Sequence, residues 1–405
     1  MTGEFYRQEL MTILKDPGAM LILFGALIIY PLTYAFAYST EMVKQIKTIV
    51  VDLDNTSASR QLVRMINGTE QIAIVAQANS MDEARQMFFA DQDGGIITIP
   101  KDFERSLLAG RQANVSVYAD GSFFLIYRQV INGAVNAVGT FSAGVEINKR
   151  TADGQTYKQA LKLRDPLSAD LHFWFNPASG YATFLMPGMF LIILQQTLLI
   201  GIGMMGGTRK ERGLHKNLVP VALSRGGVFP VLFGRALSYL TIYFVNCIIT
   251  LVWIYHWFGY PDRASYLHLA MLIVPFLLAV IFLGITISVF FRRRESSLLF
   301  LIFMSPIVFF LSGISWPASS IPGVLYALAH IIPTTLVVPA YLRLRLMGAG
   351  LQDIRHEYLL LLLQCGIYFF TAASAIYFEA WHTRKNDRQT ERDNESGIQY
   401  KNKQS

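Results

Sequence analysis

The residues of this sequence that most resemble a catalytic motif are two aspartates near the start of a polar stretch. Asp52 and Asp54 follow a short apolar run and precede Thr56, a spacing that phosphatases with an aspartate nucleophile use together with Mg²⁺. Such chemistry also needs a distant lysine and a later acidic pair, and no convincing pair follows Lys101 in this stretch. We therefore interpret the pattern as the end of a buried strand whose polar residues cap the next helix.

The remaining chemistry-bearing residues do not form a recognisable site in the sequence. There is no Gly-Lys pair, and hence no GxxxxGK[ST] phosphate-binding loop. The seven histidines are scattered, and the two cysteines, Cys247 and Cys365, both lie in apolar runs. The sequence thus predicts no metal site and no cofactor in this chain, and we expect a protein that is not an enzyme.

The composition is typical of a membrane protein. Charged residues make up 16% of the chain, against about 25% in soluble domains. A helix needs about 20 apolar residues to cross the hydrocarbon core of a bilayer. Five runs meet that length as single crossings: 19–38, 181–208, 236–255, 269–291 and 358–378.

A sixth apolar run, 296–341, is too long for one crossing. Its middle, GISWPASSIPG at 313–323, is dense in Gly, Ser and Pro, so we expect the helix to break there. Because Pro333, Pro339 and His330 disfavour a lipid-facing helix, we interpret 314–345 as an outer re-entrant segment. This gives six crossings with both termini on one side, although the charges alone leave a seventh crossing open.

Charge and pattern together predict the domain organisation. Residues 1–40 hold an amphipathic helix and the first crossing, 41–175 an extracytoplasmic α/β domain, 176–381 the other five crossings, and 382–405 a polar cytoplasmic tail. The inserted domain has 14 basic and 15 acidic side chains, so the membrane part carries the positive excess, which favours a basic cytoplasmic surface over a nucleic-acid partner. We predict an α-helical integral membrane protein with six transmembrane helices and an inserted extracytoplasmic α/β domain.

The inserted domain alternates between strand and helix patterns. Four runs read as strands: 47–54, 71–78, 94–100 and 113–120. Segments with helical spacing of apolar residues separate them, and a longer helix is predicted from about Phe123 to Lys149.

A loop between the second and third crossings, 206–227, is short, basic and bounded by glycines. It contains five basic residues and one acidic residue, Glu211, which the positive-inside rule alone would partly explain. Within the crossings, four polar side chains stand out as candidates for a translocation pathway or for contacts between helices: Gln195, Gln196, Asn246 and Ser305. Contacts between helices are the more frequent role of such residues.

Several segments resemble the ABC-2-type transporter permeases, in particular the exporter branch with a large domain between the first two crossings. Before the first crossing, the similar segment is the run 7–17. In the inserted domain, the similar segments are Asp52-Leu53-Asp54-Asn55, Ile99-Pro100-Lys101-Asp102-Phe103 and Tyr118-Ala119-Asp120-Gly121-Ser122. In the membrane part they are Glu211-Arg212-Gly213 with Leu218 and Pro220, Ser312-Gly313-Ile314-Ser315-Trp316-Pro317, and Ile332-Pro333-Thr334-Thr335. The chain departs from the family at Leu214 and Lys216, where a threonine and an acidic residue are common.

The resemblance implies partners and a role. It implies two copies of a separate ABC ATPase, which bind ATP and Mg. It also implies a second permease subunit, either an identical copy (a homodimer) or a paralogue, and it is compatible with a periplasmic adaptor. It implies export of a hydrophobic or amphiphilic molecule, a drug or lipid-like compound, across a bacterial inner membrane. The loop residues expected to couple to the ATPase are Glu211, Arg212, Gly213, Leu214 and Leu218. The alternative is a membrane-anchored sensor or envelope mechanotransmission protein whose outer domain binds a ligand.

Overall fold

The computed structural model describes residues 2–91, 94–164, 172, 174–177, 179–214 and 227–402, with side chains as far as 385. The described residues form two compact units. One comprises residues 40–172 and is a small α/β domain; the other comprises residues 1–39 and 173–405 and is a bundle of helices.

Six of the helices in the described part of the bundle are long and apolar enough to cross a membrane, which confirms the predicted fold class. We number them span 1 to span 6, and their bounds are Pro17–Ala37, Tyr181–Glu211, Phe229–Trp257, Tyr266–Ser288, Arg294–Leu311 and Arg355–Lys385. Span 2 is the central helix, because 89% of its apolar window is buried, whereas only 17% of span 5 is. We call the end of the bundle that contains Glu211 the loop end.

A separate helix precedes span 1 and packs against span 3. Helix α1 (Thr2–Lys15) ends one residue before Asp16, whose carboxylate caps span 1 by accepting a hydrogen bond from Ala19 N at 2.9 Å. The hydroxyl of Ser238 on span 3 donates to Tyr6 O at 2.9 Å. A Cβ at Gly234 would lie 2.6 Å from Phe5 Cβ, so glycine is what allows α1 to approach span 3 so closely.

The α/β unit is a four-stranded sheet with helices on both faces. Its strands are β1 (Ile46–Asp52), β2 (Ile72–Ala78), β3 (Gly95–Ile99) and β4 (Ser116–Ala119), each within three residues of a predicted strand. Its helices are α2 (Ser57–Asn67), α3 (Met81–Asp91), α4 (Phe103–Leu108), α5 (Phe124–Ala152) and α6 (Tyr157–Arg164). The strand order is β2-β1-β3-β4, with only β4 antiparallel to its neighbour.

Successive side chains of β1 point to opposite faces of the sheet, and because they are apolar on both faces, both faces must be covered. Val50 points to the face where α2 and α5 pack, whereas Ile49 and Val51 point to the other face, where α3 supplies Ala84. All three β1 side chains are fully buried. A strand buried on both faces reads as a continuous apolar run, and the sequence of β1 has that form.

Two short α-helices lie between spans 5 and 6. Helices α7 (Gly323–Ala329) and α8 (Pro333–Met347) meet at an angle of 91°. Arg343, near the end of α8, pairs with Glu357 in the first turn of span 6, at the end of the bundle opposite the loop end. Span 5 also ends there, so the segment 312–347 enters and leaves the bundle at the same end.

The break between α7 and α8 lies inside the bundle. Gln195, near the middle of span 2, accepts a hydrogen bond from Thr334 N at 3.0 Å. The side-chain amide of Gln364 on span 6 donates to His330 O at 2.8 Å. Backbone that leaves a helix at membrane depth needs such partners, because lipid offers none.

Candidate coupling site at the end of span 2

The last three residues of span 2 each contact a different part of the bundle. Arg209 is the first of them, and its Nη1 lies 2.6 and 2.8 Å from the two carboxylate oxygens of Glu9 on α1. The Tyr239 hydroxyl donates to Glu9 at 3.1 Å, and Arg235 Nε lies 3.9 Å from the same carboxylate. Glu9 therefore joins α1 to spans 2 and 3.

The Glu9 carboxylate stays ionised although the residue is buried, with only 8% of its surface exposed. Burial alone would raise the pKa of Glu9, but the charges of Arg209 and Arg235 outweigh burial and hold its pKa below the usual value. The sequence places the apolar run of span 3 after Arg235, from residue 236, but the helix begins at Phe229. Arg235 can lie inside the bundle because the carboxylate of Glu9 gives its charge a partner there.

Lys210 and Glu211 reach three further helices. Lys210 Nζ lies 3.6 Å from Glu379 on span 6 and also donates to Val289 O at the end of span 4. Glu211 Oε1 accepts a hydrogen bond from Arg294 N, in the first turn of span 5, at 3.0 Å. A carboxylate at a helix N-terminus satisfies an unpaired N–H and interacts favourably with the helix dipole.

Span 5 is tied to span 1 through the same residue. The Arg294 guanidinium makes two hydrogen bonds of 2.7 Å to the two oxygens of Asp16. A Cβ at Gly207 would lie 2.7 Å from the carbonyl of Arg293, so this close approach of spans 2 and 5 requires glycine. The junction is our name for three residues, Arg209, Lys210 and Glu211, with their partners and the residues that those partners bind. The partners are Glu9, Val289, Arg294 and Glu379, and the residues bound to them are Asp16, Arg235 and Tyr239. The junction connects α1 and all six described spans.

The junction has an expected pH dependence at Asp16. The hydrogen bonds from Arg294 lower the pKa of Asp16 below its ordinary value of 3.8. A lowered pKa stabilises the fold above the ordinary value and loses that contribution as the pH falls through the lowered pKa. We expect Asp16→Asn to unfold more easily at pH 7, by about 1–3 kcal/mol. The gap should begin to narrow below pH 3.8 and close only when the pH is below the lowered pKa. Thermal unfolding in detergent at pH 7 and at a series of acidic pH values measures the gap; a gap that does not narrow below pH 3.8 would contradict the assignment.

The loop begins directly after the junction. Arg212 is exposed, Gly213 adopts a left-handed conformation with φ +66°, and Leu214 is 40% exposed. Leu218 lies outside the described residues, as does the rest of 215–226. Of the residues predicted to couple to an ATPase, Glu211 is thus engaged within the chain, whereas Arg212 and Leu214 face outward.

The four polar residues predicted for a pathway have different surroundings. Gln195 contacts α8, and the Asn246 amide donates to Leu23 O of span 1 at 2.8 Å. Ser305 donates to Leu301 O of its own helix at 3.2 Å, and Gln196 is 8% exposed. For Gln195 and Asn246, the geometry favours contacts between helices, the more frequent of the two roles.

The paired aspartates of the inserted domain are engaged in local structure. Asp52 accepts hydrogen bonds from the Ser59 hydroxyl at 2.7 Å and from Asn55 N at 3.0 Å. Asp54 accepts from Phe103 N at 2.9 Å, so it caps α4. Burial would raise the pKa of Asp54, but hydrogen bonds from the Thr56 hydroxyl and from the backbone N–H groups of Glu104 and Phe103 hold its pKa below the usual value. The geometry agrees with a strand that ends in a capping turn.

Comparison with known proteins identifies the family. A family model described as "ABC-2 family transporter protein" matches residues 19–374. The Escherichia coli (strain K12) protein YbhS, named a probable multidrug ABC transporter permease, is 25% identical over 355 residues, which cover 84% of this chain and 87% of YbhS. The linearmycin resistance permease protein LnrN of Bacillus subtilis (strain 168) is 23% identical over 365 residues, covering 85% and 91%.

Among solved structures, a domain of an ABC type-2 transporter from Thermotoga maritima MSB8 aligns with 30% of this chain and 81% of its own length. Its identity is 20% and its TM-score of 0.21 is too low to establish a shared fold. The family match, in contrast, covers spans 2 to 5 completely and most of spans 1 and 6, together with the inserted domain. It confirms the resemblance noted in the sequence: the chain is a multipass membrane protein that belongs to the ABC-2 transporter family.

Proposed function

We propose that this chain is the permease subunit of an exporter driven by a separate ATPase, and that it moves a hydrophobic or amphiphilic small molecule out across a bacterial inner membrane. The family match over most of the chain supports the transport role, and two relatives are named as multidrug or antibiotic-resistance permeases. ATP and Mg bind to the partner. Two ATPase copies and a second permease copy complete the exporter.

The observation that carries the coupling proposal is the position of the junction. The segment Arg212–Leu214 faces outward, and the residue before it, Glu211, holds the first turn of span 5. An ATPase that grips the loop would therefore pull directly on span 2. Through the junction, the same displacement reaches α1 and the other five spans.

Orientation follows from the charges under this proposal. The loop end is cytoplasmic, since it carries the basic loop together with Arg292 and Arg293. Both termini then lie in the cytoplasm, and residues 41–175 lie outside, where they can receive cargo or meet an adaptor. Glu211 acts within the chain, whereas Arg212 and Leu214 contact the ATPase.

Isolation of the chain from its native membrane tests the proposal. We expect an ABC ATPase to copurify in mild detergent with ATPase activity. In the double variant Arg212→Ala/Leu214→Ala, the copurified ATPase activity should fall at least about tenfold. This is the effect expected when contacts with the ATPase that contribute about 1.4 kcal/mol or more are removed. Arg292→Ala is the matched control, because Arg292 is also basic and exposed at the loop end.

The outcomes separate the alternatives. Wild-type chain that elutes alone, with no ATPase in that membrane able to bind it, would overturn the proposal and favour a ligand sensor. ATPase binding that survives in the double variant would refute the role of Arg212 and Leu214.

A further inference from the structure

A cavity of about 130 Å³ lies at the end of the bundle opposite the loop end, where span 3 ends and span 4 begins. Its walls are Val252, Tyr255, His256, Gly259, Tyr260, Asp262 and Tyr266. Two neighbouring tryptophans, Trp253 and Trp257, are 71% and 68% exposed. Exposed tryptophans at the end of a membrane helix mark the depth of lipid head groups. An amphiphile in the membrane would therefore present its head group, not its tail, to this cavity.

A buried arginine lies directly behind one wall of the cavity. Arg345 on α8 has no exposed surface, and its guanidinium lies 3.9 Å above the ring of Tyr255. Its Nη2 lies 3.2 Å from Asp262 and also donates to Leu251 O. Both Tyr255 and Asp262 line the cavity and contact Arg345, so the guanidinium lies one side chain behind the cavity wall.

The guanidinium is only partly satisfied in this arrangement. Arg345 Nε and Nη1 have no hydrogen-bond partner among the described residues. A buried charged donor without a partner is costly, and a guanidinium is best matched by an anion that accepts two parallel hydrogen bonds. Asp262 engages one nitrogen only.

Asp262 is placed to exchange with another anion. It sits in the turn between spans 3 and 4, and its side chain is 26% exposed, so it can swing into solvent without being buried elsewhere. A carboxylate or phosphate that entered the cavity would replace one anion by another on Arg345 and engage the free donors as well. A cation in the cavity would find the carboxylate already neutralised by Arg345.

We propose that this cavity binds the anionic head group of an amphiphile, a carboxylate or a phosphate, which takes the place of Asp262 on Arg345. The inference goes beyond the proposed function, because binding at this site does not require an ATPase. The head group belongs to a lipid of the membrane or to a free amphiphile, and the chemistry is the same for both.

Titration of the purified chain with dodecyl phosphate in a neutral detergent tests the proposal. Removing the competing carboxylate by Asp262→Asn should tighten binding about tenfold, the effect of one lost charged competitor. Asp353→Asn, an exposed carboxylate at the same end of the bundle, should change nothing. Arg345→Gln should abolish binding. Arg345→Lys keeps the charge but cannot donate two parallel hydrogen bonds to one anion, so it should weaken binding.

Asp262→Asn decides the matter even if the Arg345 variants fail to fold. Unchanged or weaker binding of dodecyl phosphate to this variant would overturn the proposal, as would tighter binding of dodecyltrimethylammonium than of dodecyl phosphate to the wild type. Binding of dodecyl phosphate in nanodiscs then identifies the source. Competition by phosphatidylglycerol, but not by phosphatidylcholine, assigns the site to a membrane lipid; full binding in both assigns it to a free amphiphile.

Discussion

Glu211→Ala is expected to leave the ATPase bound and to uncouple ATP hydrolysis from transport. The variant removes the acceptor for Arg294 N, so the first turn of span 5 loses its hydrogen bond to the end of span 2. Span 5 is the least buried of the six described spans, and this hydrogen bond fixes its first turn at the point where span 2 ends. Because this hydrogen bond is exposed to solvent, it contributes about 0.5–1.5 kcal/mol, and cargo moved per ATP hydrolysed should fall by up to about tenfold.

The conservative variant separates the two roles that Glu211 could have. Glu211→Gln keeps an acceptor oxygen for Arg294 N, so it should retain most of the coupling. If Glu211 instead paired with a basic residue of the ATPase, Gln would fail as badly as Ala, and the ATPase would no longer copurify. Measuring ATP turnover and copurification for both variants distinguishes these outcomes.

The second large effect is expected at Glu9. Glu9→Leu leaves Arg209 and Arg235 buried without their shared carboxylate. Breaking a buried ion pair by removing one partner costs about 3–5 kcal/mol. We expect a lower yield of folded protein and a lower Tm. Thermal unfolding of the purified chain in detergent measures the Tm.

Two further variants make the Glu9 prediction specific. Gln8→Leu, at an exposed position of the same helix, introduces the same side chain and should have little effect. The exchange Glu9→Arg with Arg209→Glu should recover part of the stability, because it restores an opposite-charge pair. If Glu9→Leu unfolds no more easily than Gln8→Leu, the pair does not hold α1 in place.

The spans and strands could be predicted because each follows from a local pattern. The runs of about 20 apolar residues became helices, and the runs of alternating or continuous apolar residues in 41–175 became β1 to β4. The start of span 3 was misplaced for a physical reason. A local pattern scores Arg235 as an interruption, whereas its partner Glu9 lies more than 200 residues away.

The coupling site could be predicted only in part for the same reason. The loop was recognisable from its basic residues and bounding glycines, and Glu211 from its family position. That Glu211 holds span 5 depends on Arg294 N, a backbone group that no sequence pattern marks. Gln195 was selected, together with Gln196, as a polar residue in the middle of an apolar run, but its contact with α8 depends on a helix break that brings Thr334 N into the bundle.

One measurement tests the central claim most directly. A photo-reactive phenylalanine analogue is placed at position 214 of the chain in its native membrane, and the same analogue at position 292 serves as the control. The account predicts a light-dependent adduct with an ABC ATPase from position 214 and much less from position 292, since Leu214 belongs to the outward-facing segment that follows the junction. No ATPase adduct from position 214 in a correctly inserted chain would contradict it.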